Sequence, residues 1–310
     1  MTALGRCLRK WASLLCGLCL CHGALGEDIV LVLSEKESYY EEVAEGIVDY
    51  LRRAQPGVEV RTQVLTDGVA VAADDLVITI GSAASARVMA HHPQVKQLSL
   101  LITRQAWRGM LPGATTATKA AVLMDQPAER YLRLARLLAP RGSLSAVFGP
   151  AAQDLRDSFL HAAHQLDETL RHAAIDRDSN PMHVLNPLLE NSAAFIAVPD
   201  QAEFNRSIAR WVLRLGFRKR VPVIGFSRSY VEAGAAAALF SAPRDVEHEA
   251  IDWLTDYFDG AKAALWAEHA PRHFTVALNH SVARSLGLEL LDEEEIHRRI
   301  AAPLAWSESE

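Results

Sequence analysis

Residues 75–90 read DLVITIGSAASARVMA, and the hydrophobic pattern of this stretch changes halfway along it. The first part, up to Ile80, is an unbroken run of apolar and β-branched residues, which is typical of a strand covered on both faces of a parallel sheet. Gly81 and Ser82 mark a turn, and from there to Ala90 the small and apolar residues recur at helical spacing. A strand followed at once by a helix is half of a βαβ unit.

The same alternation of short apolar runs and amphipathic stretches continues along the whole chain. It predicts the α/β class, with βαβ units and a parallel sheet. The predicted strands are Asp28 to Ser34, Val58 to Leu65, Asp75 to Ile80, Leu98 to Thr103, Ala121 to Met124, Leu144 to Phe148, Ala193 to Val198, Val221 to Phe226 and Phe274 to Leu278. The predicted helices are Tyr39 to Arg53, Ser82 to Ala90, Pro127 to Leu138, Gln153 to Ala173, Ala202 to Leu215 and Val246 to Ala264. Between these elements Gln105 to Ala120 breaks the alternation, and the acidic tail after Leu291 is expected to be frayed or solvated.

The first 26 residues have the pattern of a secretory signal peptide. Basic residues lie between Arg6 and Lys10, an apolar run extends from Trp11 to Cys21, and small residues stand at Ala24 and Gly26. The apolar run of eleven residues is far shorter than the roughly 20 that a membrane-spanning helix needs. We therefore expect cleavage after Gly26 and an exported, periplasmic product.

Charge and cysteine content exclude several classes of function. All four cysteines (Cys7, Cys16, Cys19 and Cys21) lie within the predicted signal, so the remaining chain has no thiol for a disulfide, a thiolate metal site or a cysteine nucleophile. Three of the 32 basic residues also lie there, which leaves 29 basic against 38 acidic residues and a net charge of −9. This balance is opposite to that of a nucleic-acid-binding protein, so we expect no nucleic-acid partner.

Catalytic and metal motifs are weak. Residues 225–229 (GFSRS) follow a predicted strand as a nucleophile elbow would, but Ser229 replaces the final glycine that this sharp turn needs. Neither of the glycine-rich phosphate-binding motifs occurs, so dinucleotide and P-loop chemistry are not indicated. His161 and His164 could share a helix face with Glu168, but surface histidines are the simpler interpretation. We expect no enzyme activity, no cofactor and no metal.

Polar residues follow several predicted strands, at the edge where open parallel sheets form their ligand crevice. Residues 81–84 (GSAA) follow a predicted strand and begin a predicted helix. The free N–H groups and the dipole at the start of this helix would favour binding of a carboxylate. The alternative is that Ser82 simply caps the helix. An Asp at a facing strand end would suit the ammonium group of a zwitterion. The candidate ligand-binding residues are Ser34, Gly81, Ser82, Ala83, Arg104, Asp200, Ser227 and Arg228.

Three segments carry a resemblance to a known family. Residues 221–234 (VPVIGFSRSYVEAG), a following helix, and residues 274–287 (FTVALNHSVARSLG) occur in the order found in the substrate-binding proteins of ABC transporters that include tryptophan-type amino-acid binders. Asn279, Ala283, Leu286 and Gly287 match the Asn-x-x-x-Ala-x-x-Leu-Gly ending of that family. Residues 80–84 (IGSAA) and 198–200 (VPD) resemble two of its turns, although Ser82 stands where a threonine is usual and residues 201–202 (Gln-Ala) replace a typical Asn-Thr pair.

This resemblance implies a type I periplasmic-binding architecture, with two Rossmann-like lobes joined by three crossovers. Lobe one would comprise residues 27–124 plus 240–262, and lobe two residues 125–239 plus 263–310. Ser34, Ser82, Ala83, Asp200 and Ser227 would then line one cleft, with Asp200 holding a cationic or hydrogen-bond-donating group of the ligand.

The resemblance also implies a carrier that binds a small solute, such as an amino acid or a related carboxylate, between two lobes that close about a hinge. Its partner would be an ABC permease, and the protein would be a monomer. The alternative is an interaction protein of the same fold, with a degraded pocket, that contacts a sensor or receptor at the membrane.

Overall fold

The computed structural model describes residues 28–111, 116–150, 152–176, 178–199, 206–260 and 266–301. The predicted signal segment lies outside them. The strands are β1 (Ile29–Leu33), β2 (Val60–Val64), β3 (Leu76–Ile80), β4 (Lys96–Ile102), β5 (Lys119–Leu123), β6 (Leu144–Phe148), β7 (Leu170–Ala174), β8 (Ala194–Ile196), β9 (Val223–Gly225), β10 (Ala237–Phe240), β11 (Glu268–His269) and β12 (Thr275–Leu278). The helices are α1 (Ser38–Ala54), α2 (Ser82–His91), α3 (Arg104–Met110), α4 (Ala128–Leu138), α5 (Gln153–Gln165), α6 (Pro181–Glu190), α7 (Arg206–Lys219), α8 (Arg228–Glu232), α9 (Pro243–Phe258), α10 (His280–Leu286) and α11 (Glu293–Ala301).

The strands form two six-stranded sheets, and each sheet with the helices that cover it is one lobe. The first sheet has the order β11-β5-β4-β3-β1-β2 and is parallel throughout. The second has the order β12-β10-β9-β8-β6-β7, and only its edge strand β12 runs antiparallel to its neighbour. The predicted α/β class with two parallel sheets is therefore confirmed.

The complete burial of the central strands explains why the sequence predicted them. Every residue of β1, β3 and β6 is buried, because helices cover both faces of each sheet. Such strands need apolar residues at every position rather than at alternate ones.

The chain crosses between the lobes three times. It leaves the first sheet after β5, returns to it with α9 and β11, and crosses again before β12. The lobe boundaries implied by the family resemblance placed residues 263–310 in lobe two. In the structure, however, β11 pairs with β5 in the first sheet. The third crossover therefore follows β11.

One predicted helix corresponds to a helix and a strand in the structure. The predicted helix Gln153 to Ala173 ends at Gln165, because Asp167 adopts a left-handed φ of 52° and the chain then enters β7. Strand β7 is an edge strand whose five residues are all half-buried or exposed, so it lacks the continuous apolar run of the central strands and its sequence resembles the preceding helix.

The acidic tail was expected to be frayed, but its first part forms α11. Ile296 and Ile300 are buried against the core of lobe two, which fixes this helix in place. Residues 302–310 lie outside the described residues. The irregular stretch Gln105 to Ala120 likewise contains most of α3, whose Trp107 is buried.

Within the part of the chain that the structure describes, no helix has both the length and the apolar character needed to cross a membrane.

Candidate functional site in the cleft between the lobes

Two connected cavities lie between the lobes, where the carboxyl ends of strands from both sheets face each other. The larger has a volume of about 770 Å³ and the smaller about 250 Å³. Thr103, Asp125 and Pro199 line both, so the two cavities are parts of one cleft. The larger part is also lined by Tyr39, Glu42, Met124, Tyr131, Phe226, Ser227, Arg228, Ser229, Phe240, Ser241, Ala242, Pro243 and Arg244.

Aromatic side chains from different parts of the chain form an apolar wall in the larger cavity. Phe226 follows β9 and lies with its ring centroid 4.9 Å from that of Tyr230. The short turn before it requires Gly225, since a Cβ there would lie 2.3 Å from Cβ of Tyr230. Phe240, at the end of β10, carries the guanidinium of Arg228 over its ring at 5.7 Å. An aromatic face with a cation above it suits an apolar ligand that has an anionic group.

Tyr39 contributes a neutral hydrogen-bonding group to the same cavity. Its hydroxyl donates to the carbonyl oxygen of Ser241 at 3.1 Å. Burial, together with the negative charges of Asp245 and Glu42, raises the pKa of Tyr39 to about 12. The phenol therefore remains protonated at neutral pH and keeps α1 joined to the second crossover.

Charged residues that pair with one another dominate the smaller cavity. The carboxylate of Asp125 accepts a hydrogen bond from the backbone N–H of Arg104 at 2.7 Å, and burial raises the pKa of Asp125 although this contact opposes the rise. Glu268 contacts the guanidinium groups of Arg104 (3.3 Å) and Arg108 (2.9 Å). Arg108 also reaches Asp154 of the other lobe at 3.6 Å. These groups already neutralise one another, which leaves the larger cavity as the better ligand site.

The three crossovers between the lobes are tied together by two side chains. The amide of Gln126 donates to Oγ of Ser241 at 2.8 Å and to the carbonyl oxygen of His273 at 3.4 Å. Arg130 donates to Oε1 of Gln126 at 2.6 Å and to the carbonyl oxygen of Pro271 at 2.8 Å. One buried amide thus contacts the first, second and third crossovers.

Three of the candidate residues from the sequence lie on the cavity walls. Ser227 and Arg228 line the larger part, and Arg104 lines the smaller part. Ser227 Oγ lies 2.8 Å from Oγ of Ser229, so both hydroxyls face the same region. All three follow strands, where parallel sheets form their ligand crevices, and their contact with a ligand stays a prediction.

Four other candidates lie at the junction of β3 and α2, three in the turn itself and Ser34 beside it at the end of β1, and none of them lines either cavity. Oγ of Ser34 accepts the backbone N–H of Ala84 at 2.9 Å, so Ser34 caps α2 from a different strand. Gly81 has a φ of +98°, and a Cβ there would lie 2.4 Å from Oγ of Ser34. Ser82 and Ala83 are exposed at the first turn of the helix.

Asp200, for which a direct ligand contact was predicted, lies outside the described residues. The preceding Pro199 lines both parts of the cleft.

Sequence reasoning missed Tyr39, Phe240 and Arg244. Phe240 ends a strand whose sequence, Ala-Ala-Leu-Phe, has no β-branched residue to mark it. Tyr39 and Arg244 begin α1 and α9, and only the pairing of these two helices in lobe one brings them to the cleft.

The candidate metal-binding residues His161, His164 and Glu168 gain no support from the geometry. Glu168 is bound by the guanidinium of Arg136, and His161 and His164 are exposed on α5. Among the described residues, no group of three or more His, Cys, Asp or Glu side chains is placed to hold a metal ion.

Comparison with known proteins gives matches of structure and none of sequence. No protein-family model matches the chain, and no curated protein matches it. The ligand-free, open structure of a substrate-binding protein with adhesive properties from Clostridium difficile matches with a TM-score of 0.68 and 12% identity, over 86% of this chain and 97% of that one.

Two further solved structures match at lower TM-scores. An ABC domain in complex with L-Trp from Streptococcus pneumonia has a TM-score of 0.55 and 15% identity, over 88% of this chain and 98% of that one. An arabinose-binding protein from Geobacillus stearothermophilus has a TM-score of 0.53 and 14% identity, over 83% of this chain and 98% of that one. The two lobes, their parallel sheets and these matches together show that the chain has the type I periplasmic-binding fold of the substrate-binding proteins of ABC transporters.

Proposed function

We propose that this protein binds a small solute between its lobes, closes on it about the tied crossovers, and delivers it to an ABC permease after export to the periplasm. The ligand contacts both lobes only in the closed state, so binding shifts the equilibrium between open and closed forms. The observation that supports this most directly is the larger interlobe cavity, whose volume of about 770 Å³ falls in the range of small-molecule sites.

The lining of that cavity indicates the chemical class of the solute. Phe226, Phe240 and Tyr39 offer apolar and aromatic surface, and Arg228 and Arg244 add positive charge at the wall. A molecule with an apolar body and a carboxylate, such as an amino acid or a related acid, complements both features. The solved structure with L-Trp makes this amino acid the first probe to test.

Mass spectrometry of the supernatant from the denatured, purified protein tests for a copurified solute. Calorimetric titration with L-tryptophan, other amino acids and aromatic carboxylates then gives affinities. Replacing Arg228 by Ala should weaken binding by at least about tenfold, because a carboxylate would lose its charged partner. Arg284→Ala is the matched control, since Arg284 is exposed on α10 of the same lobe and lines neither cavity.

Equal affinities of Arg228→Ala and the parent protein would remove Arg228 from the site. If no solute copurifies and no compound of the panel binds, the alternative of an interaction protein with a degraded pocket gains the support. The contact between Arg108 and Asp154 favours that alternative, because it joins the lobes without a ligand.

A further inference from the structure

Helix α7 of lobe two presents an exposed aromatic and basic face. Ile208, Val212 and Leu215 are buried against α6 and the second sheet, so the opposite side of the helix is directed to solvent. Trp211 is 37% exposed and Phe217 is 54% exposed. These two are the exposed large hydrophobic side chains among the described residues, and both belong to this one helix.

The charge of α7 is opposite to that of the whole protein. Its sequence, RSIARWVLRLGFRK, contains four arginines and one lysine and neither aspartate nor glutamate, whereas the whole chain has a net charge of −6. Lys219 is paired with Glu190 at 2.9 Å. Arg214 and Arg218 are exposed, and the guanidinium of Arg214 lies 5.9 Å from the ring of Trp211.

We propose that this face of α7, comprising Arg210, Trp211, Arg214, Phe217 and Arg218, binds the surface of a bilayer that contains anionic phospholipid. Exposed residues at positions 210/211, 214 and 217/218 follow the helical period, so they form one stripe along the axis. Basic residues interleaved with aromatic ones on one helix face are typical of helices that lie in the plane of a membrane interface. Guanidinium groups bind lipid phosphates through paired hydrogen bonds, while the rings of Trp and Phe enter the headgroup region.

The size and shape of the face favour a bilayer over a protein partner. A helix of 14 residues is about 21 Å long and about 10 Å wide, so its exposed stripe covers roughly 200 Å². A specific protein–protein interface buries about 800 Å² on each partner. A flat, fluid surface of negative charge can adapt to a single convex helix, and it complements the arginines.

Vesicle cosedimentation tests the proposal, with the protein purified without the 26 residues that the sequence predicts to be removed on export. The parent protein should bind vesicles of phosphatidylcholine mixed with phosphatidylglycerol at about 0.1 M salt, and should be released at about 1 M salt, where the Debye length falls from about 10 Å to about 3 Å. It should not bind phosphatidylcholine alone. Arg214→Glu with Arg218→Glu should weaken binding at least about tenfold.

Matched variants separate this site from general electrostatics. The double variant Arg52→Glu with Arg53→Glu makes the same change of charge on exposed residues of α1, and it should bind as the parent does. Trp211→Phe should reduce the blue shift of tryptophan emission on binding, because Trp107 and Trp253 are already buried and Trp266 is half-buried. Melting curves of all variants establish that each is folded.

The proposal fails if the parent protein does not bind the phosphatidylglycerol vesicles, or if the α7 and α1 charge variants lose binding equally. Retention on vesicles that carry a membrane protein, but not on protein-free ones, would also overturn it in favour of a protein partner. These outcomes do not depend on whether the cleft binds a solute.

Discussion

Gly81 is the residue on which the junction of β3 and α2 depends most strongly. It has a left-handed φ of +98°, and a Cβ at this position would collide with Ser34. Two other glycines allow the backbone strain to be separated from the steric collision. Gly68 has a φ of +93° but nothing within 4 Å of a Cβ, and Gly57 has neither a left-handed φ nor a close neighbour.

Substitution of each glycine by alanine should give graded losses of the free energy of unfolding, measured by urea denaturation. Gly57→Ala should cost nothing or stabilise slightly. Gly68→Ala should cost about 1–2 kcal/mol from backbone strain, and Gly81→Ala should add about 1–3 kcal/mol of overpacking. Because Ser34→Gly also removes the acceptor of the Ala84 N–H, the double variant with Gly81→Ala should lose less free energy of unfolding than the sum of the two single variants. A Gly81→Ala protein no less stable than Gly68→Ala would show that the contact with Ser34 is unimportant.

Single residues also show the limits of reading a site from sequence. Arg104, Ser227 and Arg228 could be placed in the cleft because each follows a strand of recognisable sequence. Ser34 has the same kind of position, but its hydroxyl accepts the N–H of Ala84, and no local pattern reveals a cap that comes from a residue 50 positions away.

At the level of elements, α9 is joined to the third crossover by one buried carboxylate. The side chain of Glu249 is 4% exposed and accepts the backbone N–H groups of Arg272 and His273, the latter at 2.5 Å. The guanidinium of Arg272 lies 3.5 Å from the same carboxylate. These contacts hold the segment between β11 and β12 against a helix of lobe one.

Replacing Glu249 by Ala should therefore lower the free energy of unfolding by about 2–4 kcal/mol, because two backbone N–H groups lose a charged acceptor. Asp256→Ala is the control, since Asp256 is exposed on the same helix. Urea midpoints of the two variants measure the difference. Equal midpoints would mean that solvent replaces the carboxylate without cost.

Elements differed in how well their sequences identified them. The bounds of β6 were predicted to the residue, and those of α4 to within one residue, because both have strong burial patterns and clear ends. Strand β7 and helix α6 were missed. An edge strand that is only partly buried lacks the apolar run, and α6 contains Pro187 within its length.

At the scale of the whole molecule, a buried lysine makes stability depend on pH. Lys119 is 1% exposed, and its ammonium donates to the carbonyl oxygen of Val95 at 2.7 Å. Burial lowers the pKa of Lys119 from 10.5 to about 8. The folded pKa is below the unfolded value, so the charged form opposes folding fully below pH 8, and this penalty disappears as the pH rises towards 10.5.

Lys119→Met should therefore be more stable than the parent protein near pH 7. The gain in the free energy of unfolding should be about 3 kcal/mol, reduced by the cost of leaving the carbonyl oxygen of Val95 without its hydrogen bond. This difference should shrink steadily between pH 8 and 10.5 in urea denaturation experiments. Lys36→Met, which removes an exposed lysine, should show no such trend. A difference for Lys119→Met that stays constant across this range would contradict the assignment.

The α/β class was predictable because alternating strands and helices admit few arrangements, and the two-lobed architecture was implied by the family resemblance of residues 221–234 and 274–287. The segment that contains β11 was assigned to the wrong lobe, since a strand of two residues, Glu268–His269, leaves no periodic signal. Helix α11 was missed for a related reason. Its sequence is mostly charged, and the two isoleucines that it buries, Ile296 and Ile300, can be recognised as core residues only when the core that they fill is known.

The contacts of Gln126 with the second and third crossovers determine how the two lobes can move. Three connections that were independent of one another would allow the lobes to bend, twist and slide separately. Because the side chain of Gln126 contacts the second and third crossovers at one place, sliding of one lobe past the other would break its hydrogen bonds, whereas a rotation about an axis that passes near Gln126 would keep them.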